Sequence, residues 1–515
     1  MNNKVFIYRY QNYFKLDCDE KGHLLDTDNR KLFNTFGRPV KIHEFINRYL
    51  VEKEFNYYKK IWVITKRYVY YCTKRNQLFI HVNFLRFFII YLKTNDVKFE
   101  MIKNNCIKSK QLNLKFNKGF KDKDNQVKPI NFLSNLDMYN KALELQTGIG
   151  KTYCAIKAMI NINKITLIGI PTNLLMSRWV DELKKLTNIK DDEIYCIKGM
   201  DSISNLYKKK FSHIKVFIAS IPTMQAYIKN SNGNYDKFDT FDVFLEKLKL
   251  GTIIVDECHL NFYTICLLYT LSNVKYSISL SATYMRTNPY SNKIFDIIFP
   301  EDIKYKDDEY FKYVNVVECL HRLDNISNND VVTKPKYRYR EYNIKKMYSQ
   351  FNYESVIIKN QKYLYEYFNL LTKLIEKYYL HIKNNNDKLL ILIASVKLGL
   401  VTSQFLSEKL SGLRVGTILS NNKDGDFNDL DIIVSTFGSS GTGVDITNLK
   451  TVILFHSFKA LSRCIQSIGR LRYRKNTELY FVYTHNLNIS YHNYHRKIRK
   501  GVYTKIAKSF ETIYM

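Results

Sequence analysis

Leu143-Glu-Leu-Gln-Thr-Gly-Ile-Gly-Lys-Thr152, running on into Tyr153-Cys-Ala-Ile-Lys-Ala-Met-Ile160, is the stretch on which the reading of this chain turns. A glycine-containing loop ends in Lys-Thr and passes directly into a helix whose apolar positions, Ala155, Ile156, Met159 and Ile160, recur at helical spacing. This is the layout of a P-loop. Gly148 and Gly150 let the backbone adopt positive φ, so that successive N–H groups, with Thr147 beside them, converge around a phosphate. The positive end of the following helix adds to that attraction. Lys151 can reach the β- and γ-phosphates of a nucleotide, and the Thr152 hydroxyl can ligate Mg²⁺. One position departs from the pattern G-x-x-x-x-G-K-[ST]: its first glycine is Leu145.

Outward from this loop, 515 residues are enough for about three domains. Hydrophobic residues make up 45% of them, so each domain can have its own core. The formal net charge is +32, from 80 Lys and Arg against 48 Asp and Glu. Such a field favours a polyanion, with nucleic acid as the first candidate. Enrichment of Lys, Asn, Ile, Tyr and Phe is also what an AT-rich gene produces. Nine dispersed cysteines, without C-x-x-C or zinc spacing, read as reduced thiols of an intracellular, cytoplasmic protein, in a host cell or virion if viral. The most apolar run, Phe84–Leu92, contains Arg86 and is far shorter than a membrane span, so no membrane is expected as a partner. Met1–Tyr10 reads as a strand and not as a signal peptide.

Residues 1–118 read as a small α+β accessory domain. It has strand-like runs at Val5–Tyr10, Ile61–Tyr70, Leu78–Val82 and Phe87–Leu92, and a helical piece at Lys41–Glu52. Basic and aromatic residues interleave in Lys66-Arg-Tyr-Val-Tyr-Tyr71, which suits either a nucleic-acid stacking surface or an aromatic β-rich core. A polar break, Lys115–Lys128, precedes an expected helix around Ile130–Ala142, and Gln126 stands where its amide could recognise adenine. After the P-loop helix the pattern alternates: strand Ile165–Ile170, helix Leu174–Leu186, strand Val216–Ser220. Then Thr252-Ile-Ile-Val-Asp-Glu-Cys-His259 carries a buried β-branched strand straight into two carboxylates. At the C-terminal end of a parallel strand, Asp256 can hold hydrated Mg²⁺ and Glu257 can orient and deprotonate water. Ser277-Ile-Ser-Leu-Ser-Ala-Thr283 reads as another strand, ending in small hydroxyl residues.

Residues 301–350 read as an irregular, Tyr-rich connection, followed by a long helical stretch, Tyr353–Tyr379. Lys388–Ser395 opens a second parallel sheet, and Asp431-Ile-Ile-Val-Ser-Thr436 leads into the glycine-rich loop Gly438-Ser-Ser-Gly-Thr-Gly-Val-Asp445. Near the end comes Gln466-Ser-Ile-Gly-Arg-Leu-Arg-Tyr-Arg474. The basic segment Tyr494–Lys500 suits either a nucleic-acid track or a solvated helix face.

Taken in order, the P-loop, Asp256-Glu-Cys-His259, Ser281-Ala-Thr283 and the Gln466–Arg474 segment resemble the superfamily 2 helicases over residues 120–505. The likeness is greatest to viral members: phage UvsW-like branch-migration helicases and poxvirus and asfarvirus transcript-release helicases. The resemblance implies two tandem RecA-like parallel-sheet domains, at 119–300 and 351–515, facing each other across an ATP cleft. It implies ATP and Mg²⁺ as cofactors and a motor, taken as monomeric, that binds nucleic acid, DNA in preference to RNA, with replication or transcription proteins as further partners. Pro171, Thr172, Ser220, Thr223, Thr436 and Gly441 fall at its backbone-contacting positions, and Asp445 at the one that meets the ATP ribose. The family pattern Gln-x-x-Gly-Arg-x-x-Arg assigns catalytic roles to Gln466 and Arg470. Its last Arg is replaced by Tyr473, which leaves Arg472, favoured by the viral Gly-Arg-x-Arg spacing, or Arg474 as the γ-phosphate finger.

Overall fold

The structure, a computed structural model, describes residues 4–26, 29–34, 38–56, 60–208, 211–231, 239–284, 288–307, 311–323, 326, 331, 350–419, 429–437 and 446–515. It divides into two compact units, one of Met1–Leu145 with Ile149–Asp307 and one of Gln146–Gly148 with Asp308–Met515.

The first unit opens with β1 (Lys4–Arg9), β2 (Tyr13–Asp17), β3 (Val51–Asn56), β4 (Ile61–Arg67), β5 (Tyr70–Cys72), β6 (Gln77–His81) and β7 (Lys98–Lys103). Five of these form a mixed sheet in the order β5-β6-β2-β1-β7, while β3 and β4 make a separate antiparallel ribbon. Phe87–Leu92, expected as a strand, instead lies in a helix, Leu85–Thr94. Its buried residues Leu85, Phe88 and Leu92 keep a helical spacing that the unbroken apolar run conceals. Next comes the helix Asp124–Ser134, which ends sooner than expected; Ala142 belongs to a strand.

The parallel sheet of this unit consists of β8 (Asn140–Glu144), β9 (Thr166–Ile170), β10 (Ile194–Ile197), β11 (Val216–Ser220), β12 (Thr252–Val255), β13 (Tyr276–Ser281) and β14 (Lys304–Lys306). Its order is β10-β11-β9-β12-β13-β8-β14, with every pairing parallel. Strands buried on both faces read as continuous β-branched and apolar runs, as Thr252-Ile-Ile-Val255 does. One face packs Ala155, Met159, Trp179 and Leu183. The other shares a single apolar core with the N-terminal sheet, through Tyr68, Phe262 and Tyr263.

The second unit holds β15 (Val314–His321), β16 (Lys388–Ile393), β17 (Val415–Ile418), β18 (Ile432–Thr436), β19 (Leu449–Leu454), β20 (Leu479–Asn486) and β21 (Ser509–Tyr514). They run parallel in the order β17-β18-β16-β19-β20-β15-β21. The fold is thus two parallel α/β sheets with a small α+β region ahead of them. The expectation that 301–350 is irregular is corrected at two places: β14 extends the first sheet, and fully buried β15 lies inside the second. The long helix over Tyr353–Tyr379 is also broken, into Gln350–Lys359 and Gln361–Ile375, with Asn360 capping the latter through its side chain.

Candidate functional site in the first parallel sheet

Three neighbouring strands, β8, β13 and β12, bring the motif residues to one end of the sheet. The loop after β8 has Gly148 at φ 95° and Gly150 at φ 105°, conformations in which a Cβ is strained. Gly150 caps the helix Lys151–Ile162. Lys151 Nζ donates to the Leu145 carbonyl at 3.1 Å, while Thr152 follows it in the first helical turn. Gln126 is buried behind the loop, where its Nε2 donates to the Ile149 carbonyl at 2.7 Å and its Oε1 accepts from the Lys123 N–H at 3.1 Å. A Cβ on residue 150 would lie 2.5 Å from that Nε2, a second reason for glycine there. Gln126 therefore braces the loop, and the inventory of an amide leaves it one N–H and one lone pair for a base.

Beyond β12, Asp256 is buried. Its Oδ2 accepts from the Trp179 indole at 3.1 Å and its Oδ1 from the Glu257 N–H at 3.0 Å. Burial, followed by the neighbouring Glu257 charge, pushes its carboxyl up to about 6, against the pull of Lys151 and Trp179. Glu257 takes φ 48°, a left-handed conformation costly for a side-chain-bearing residue. Its Oε2 lies 3.4 Å from His259 Nδ1 without hydrogen-bond geometry. His259 Nδ1 is 2.8 Å from Ser281 Oγ. Ser281 gives its one proton to the Thr283 carbonyl at 2.6 Å, so towards the imidazole it accepts, and His259 carries its proton on Nδ1. The Asp-Glu-Cys-His turn and the Ser-Ala-Thr end of β13 are hydrogen-bonded to each other.

The arrangement fits a nucleotide with Mg²⁺. Glu257 Oε2 and Thr283 Oγ1 are buried polar atoms without a hydrogen-bond partner, a costly condition that a phosphate, metal or water ligand relieves.

The residues expected to meet a nucleic-acid backbone are placed unevenly. Pro171 and Thr172 follow β9, and Thr172 Oγ1 is another buried atom without a partner. Ser220 and Thr223 are buried, with their hydroxyls 2.8 Å apart, and Thr223 Oγ1 accepts from the Gly199 N–H at 3.0 Å. They pin the turn after β11, so any backbone contact there falls to main-chain groups. Thr436 is buried at the end of β18. Gly441 and Asp445 lie outside the described residues.

In the second unit Gln466 is buried on the helix Leu461–Ile468, and Arg470 follows in the turn. The helix ends before Arg472, whose Nη1 donates to the Gly469 carbonyl at 3.2 Å. Arg474 instead pairs through Nη1 with the buried Asp387 carboxylate at 2.9 Å, just ahead of β16. Tyr473 is exposed and stands edge-on to Phe311. Sequence reasoning missed Trp179 as a partner of Asp256. It also missed Glu354, a buried carboxylate that accepts from the Ala394 N–H at 2.8 Å and the Ser395 N–H at 2.6 Å. Neither has a spacing signal, because each partner is distant in the chain.

Residues 110–286 match the family model described as "Type III restriction enzyme, res subunit". The chain is 27% identical over 178 residues to "DNA 3'-5' helicase XPB" of Kineococcus radiotolerans, covering 34% of this chain and 29% of that protein. It is 26% identical to the protein of the same name in Mycobacterium tuberculosis, covering 38% and 34%. To "Transcript termination protein A18" of Yaba-like disease virus it is 22% identical, covering 64% of each. The chain thus spans about a third of the length of its two bacterial relatives. These likenesses relate it to the superfamily 2 helicases, viral ones among them, and support a helicase-type ATPase. Among the described residues no helix is long and apolar enough to cross a membrane.

Proposed function

We propose that this chain is a nucleic-acid-stimulated ATPase that works on DNA as a helicase or translocase, inside a host cell or virion and as a monomeric motor. The observation that carries the proposal is the meeting, at three adjacent strand ends, of a left-handed glycine loop, a buried Asp beside a partly buried Glu, and a hydrogen-bonded His-Ser link. In this reading Lys151 and the loop N–H groups hold the β- and γ-phosphates, and Gln126 adds a contact to adenine. Thr152 and Asp256 would hold Mg²⁺, which would supply neutralisation of the charge developing on the phosphate oxygens. Glu257 orients the attacking water and takes its proton. Gln466, Arg470 and Arg472 are assigned to the ATPase chemistry by the order of the motifs. Asp445 is assigned to the ribose, and Pro171, Thr172, Ser220, Thr223, Thr436 and Gly441 to the nucleic-acid track, with Ser220 and Thr223 acting through the backbone they position. The 1–118, 119–300, 301–350 and 351–515 division is kept as the functional one, with the edge strand β14 and the interior strand β15 assigned to the sheets they join.

A second reading, release of a transcript by an RNA-acting ATPase, is supported by the likeness to a viral protein named for transcript termination. The two separate by ATP turnover measured with single-stranded, duplex and forked DNA and with RNA. Stronger stimulation by a DNA form supports the first. Stimulation by RNA alone replaces it with the second.

A further inference from the structure

Ile61, Trp62 and Val63, three consecutive apolar residues of β4, are all exposed, Trp62 to 56%. A two-stranded ribbon is marginal by itself, and a run of exposed apolar residues is a burden unless it is used. This ribbon is nevertheless anchored. Asn288 Nδ2 donates to the Lys53 carbonyl at 3.3 Å, and Glu52, buried at its base, accepts from Tyr68 Oη at 2.8 Å and pairs with Lys66. Across the strands Trp62 pairs with Phe55, and the two rings stand edge to face at 5.4 Å. Tyr290 supplies a second edge at 5.3 Å, with Lys53 Nζ 5.9 Å from its ring centre. Phe55 and Tyr290 therefore hold the indole upright while leaving more than half of it open.

The charges around this ring say what it meets. Lys60 and Arg67 are exposed at either end of β4, whereas the Glu52 carboxylate is already neutralised. Glu54 faces Val63 in the register, on the side of the ribbon opposite Trp62. An open aromatic face on a ribbon with exposed cations at its two ends suits a single strand whose base stacks on the ring and whose backbone runs along the ribbon. By contrast Tyr68 and Tyr70, in the segment whose sequence suggested stacking, are core residues.

We propose that the β3–β4 ribbon is a stacking platform for single-stranded nucleic acid, with Trp62 as the base-contacting ring. The inference deepens the nucleic-acid reading above and rests on it. The chain has two tryptophans, and the other, Trp179, is buried against Asp256, so emission changes on binding report Trp62. The test titrates the full chain, without nucleotide, with a dye-labelled single-stranded oligodeoxynucleotide, following dye anisotropy for binding and tryptophan emission for stacking.

Wild type is expected to bind with quenched emission. Trp62→Phe should bind with the quench gone, and Trp62→Ala should bind about 5- to 150-fold more weakly. The salt dependence of affinity should be unchanged in Trp62→Ala, because no cation is lost, and reduced in Lys60→Ala and Arg67→Ala. Binding by anisotropy without quenching, or with Trp62→Ala at wild-type affinity, overturns the platform and leaves the nucleic-acid reading standing. Absence of binding overturns both. A wild-type chain that self-associates through Trp62 in sedimentation, with no change in oligonucleotide affinity for Trp62→Ala, overturns the platform in favour of a contact between copies.

Discussion

Asp256 and Glu257 sit side by side just past the end of β12, and the protein holds that charge against burial. The Asp256 carboxyl is raised from its ordinary 3.8 to about 6, so the folded chain binds this proton more tightly than the unfolded chain does. The associated stability is complete below about pH 4 and is lost as pH rises through about 6. Asp256→Asn removes the charge. In nucleotide-free protein the variant is expected to be more stable than wild type above pH 6 by about 1–3 kcal/mol, and equal to it near pH 4. Denaturant unfolding at the two pH values checks this, and an Asn variant that is less stable at neutral pH contradicts it. ATP turnover by the same variant should be lost.

At the scale of the element, the turn after the helix Leu461–Ile468 separates the two arginines between which the sequence leaves the finger open, with Arg472 favoured. The helix stops before either, so a helical-wheel argument does not reach them; their partners do. Arg474 is tied to Asp387 and to the Leu449 carbonyl at 3.5 Å, at the N-terminal ends of β16 and β19. Ligands of parallel α/β sheets gather at the opposite, C-terminal ends. Arg474→Ala is therefore expected to cost about 1–3 kcal/mol of stability, the side chain being partly exposed, with kcat at saturating ATP and nucleic acid little changed. Arg472→Ala should lose about 10³–10⁵ in kcat and leave stability unchanged. Near-wild-type turnover in Arg472→Ala with collapse in Arg474→Ala reverses the assignment.

The P-loop helix and the strands Thr166–Ile170, Val216–Ser220 and Thr252–Val255 were legible because an apolar-periodic helix and short buried apolar runs have few other solutions, whereas β8, Asn-Lys-Ala-Leu-Glu without a β-branched residue, was read as the end of a helix. Phe87–Leu92 was not legible as a helix, since a continuous apolar run has no period to read. Strand β15 was hidden because Val314–His321 carries Asn315, Glu318 and His321, and the partners of Asn315 and Glu318 lie elsewhere in the chain. Glu318, for example, is buried and accepts from Arg496 at 3.0 and 3.1 Å.

Over the whole molecule, the N-terminal sheet and the first parallel sheet behave as one body. Tyr68 is fully buried against Phe262 and Tyr263, Asn12 Nδ2 donates to the Val274 carbonyl at 3.3 Å, and Asn83 Nδ2 to the Ile297 carbonyl at 2.8 Å. Every residue of the helix Phe262–Thr270 except Tyr263 is buried. A chain beginning near Lys115 would expose that face to water and is expected to aggregate or lose cooperative unfolding, not to act as a trimmed motor. Tyr68→Ala, which opens the shared core without removing the domain, should cost about 3–5 kcal/mol in the same unfolding transition. A soluble, cooperatively folding truncated chain would show the two parts to be independent.

The central claim, that nucleic acid drives ATP hydrolysis at the β8–β12 strand ends, is tested most directly by steady-state ATP turnover of wild type and Glu257→Gln, each with and without DNA. Glutamine keeps the size of the side chain and removes only the base. The account predicts turnover that rises with DNA in the wild type, and a Glu257→Gln chain that still binds ATP and DNA but does not hydrolyse. Turnover indifferent to DNA and RNA alike, or wild-type kcat in Glu257→Gln, would contradict it.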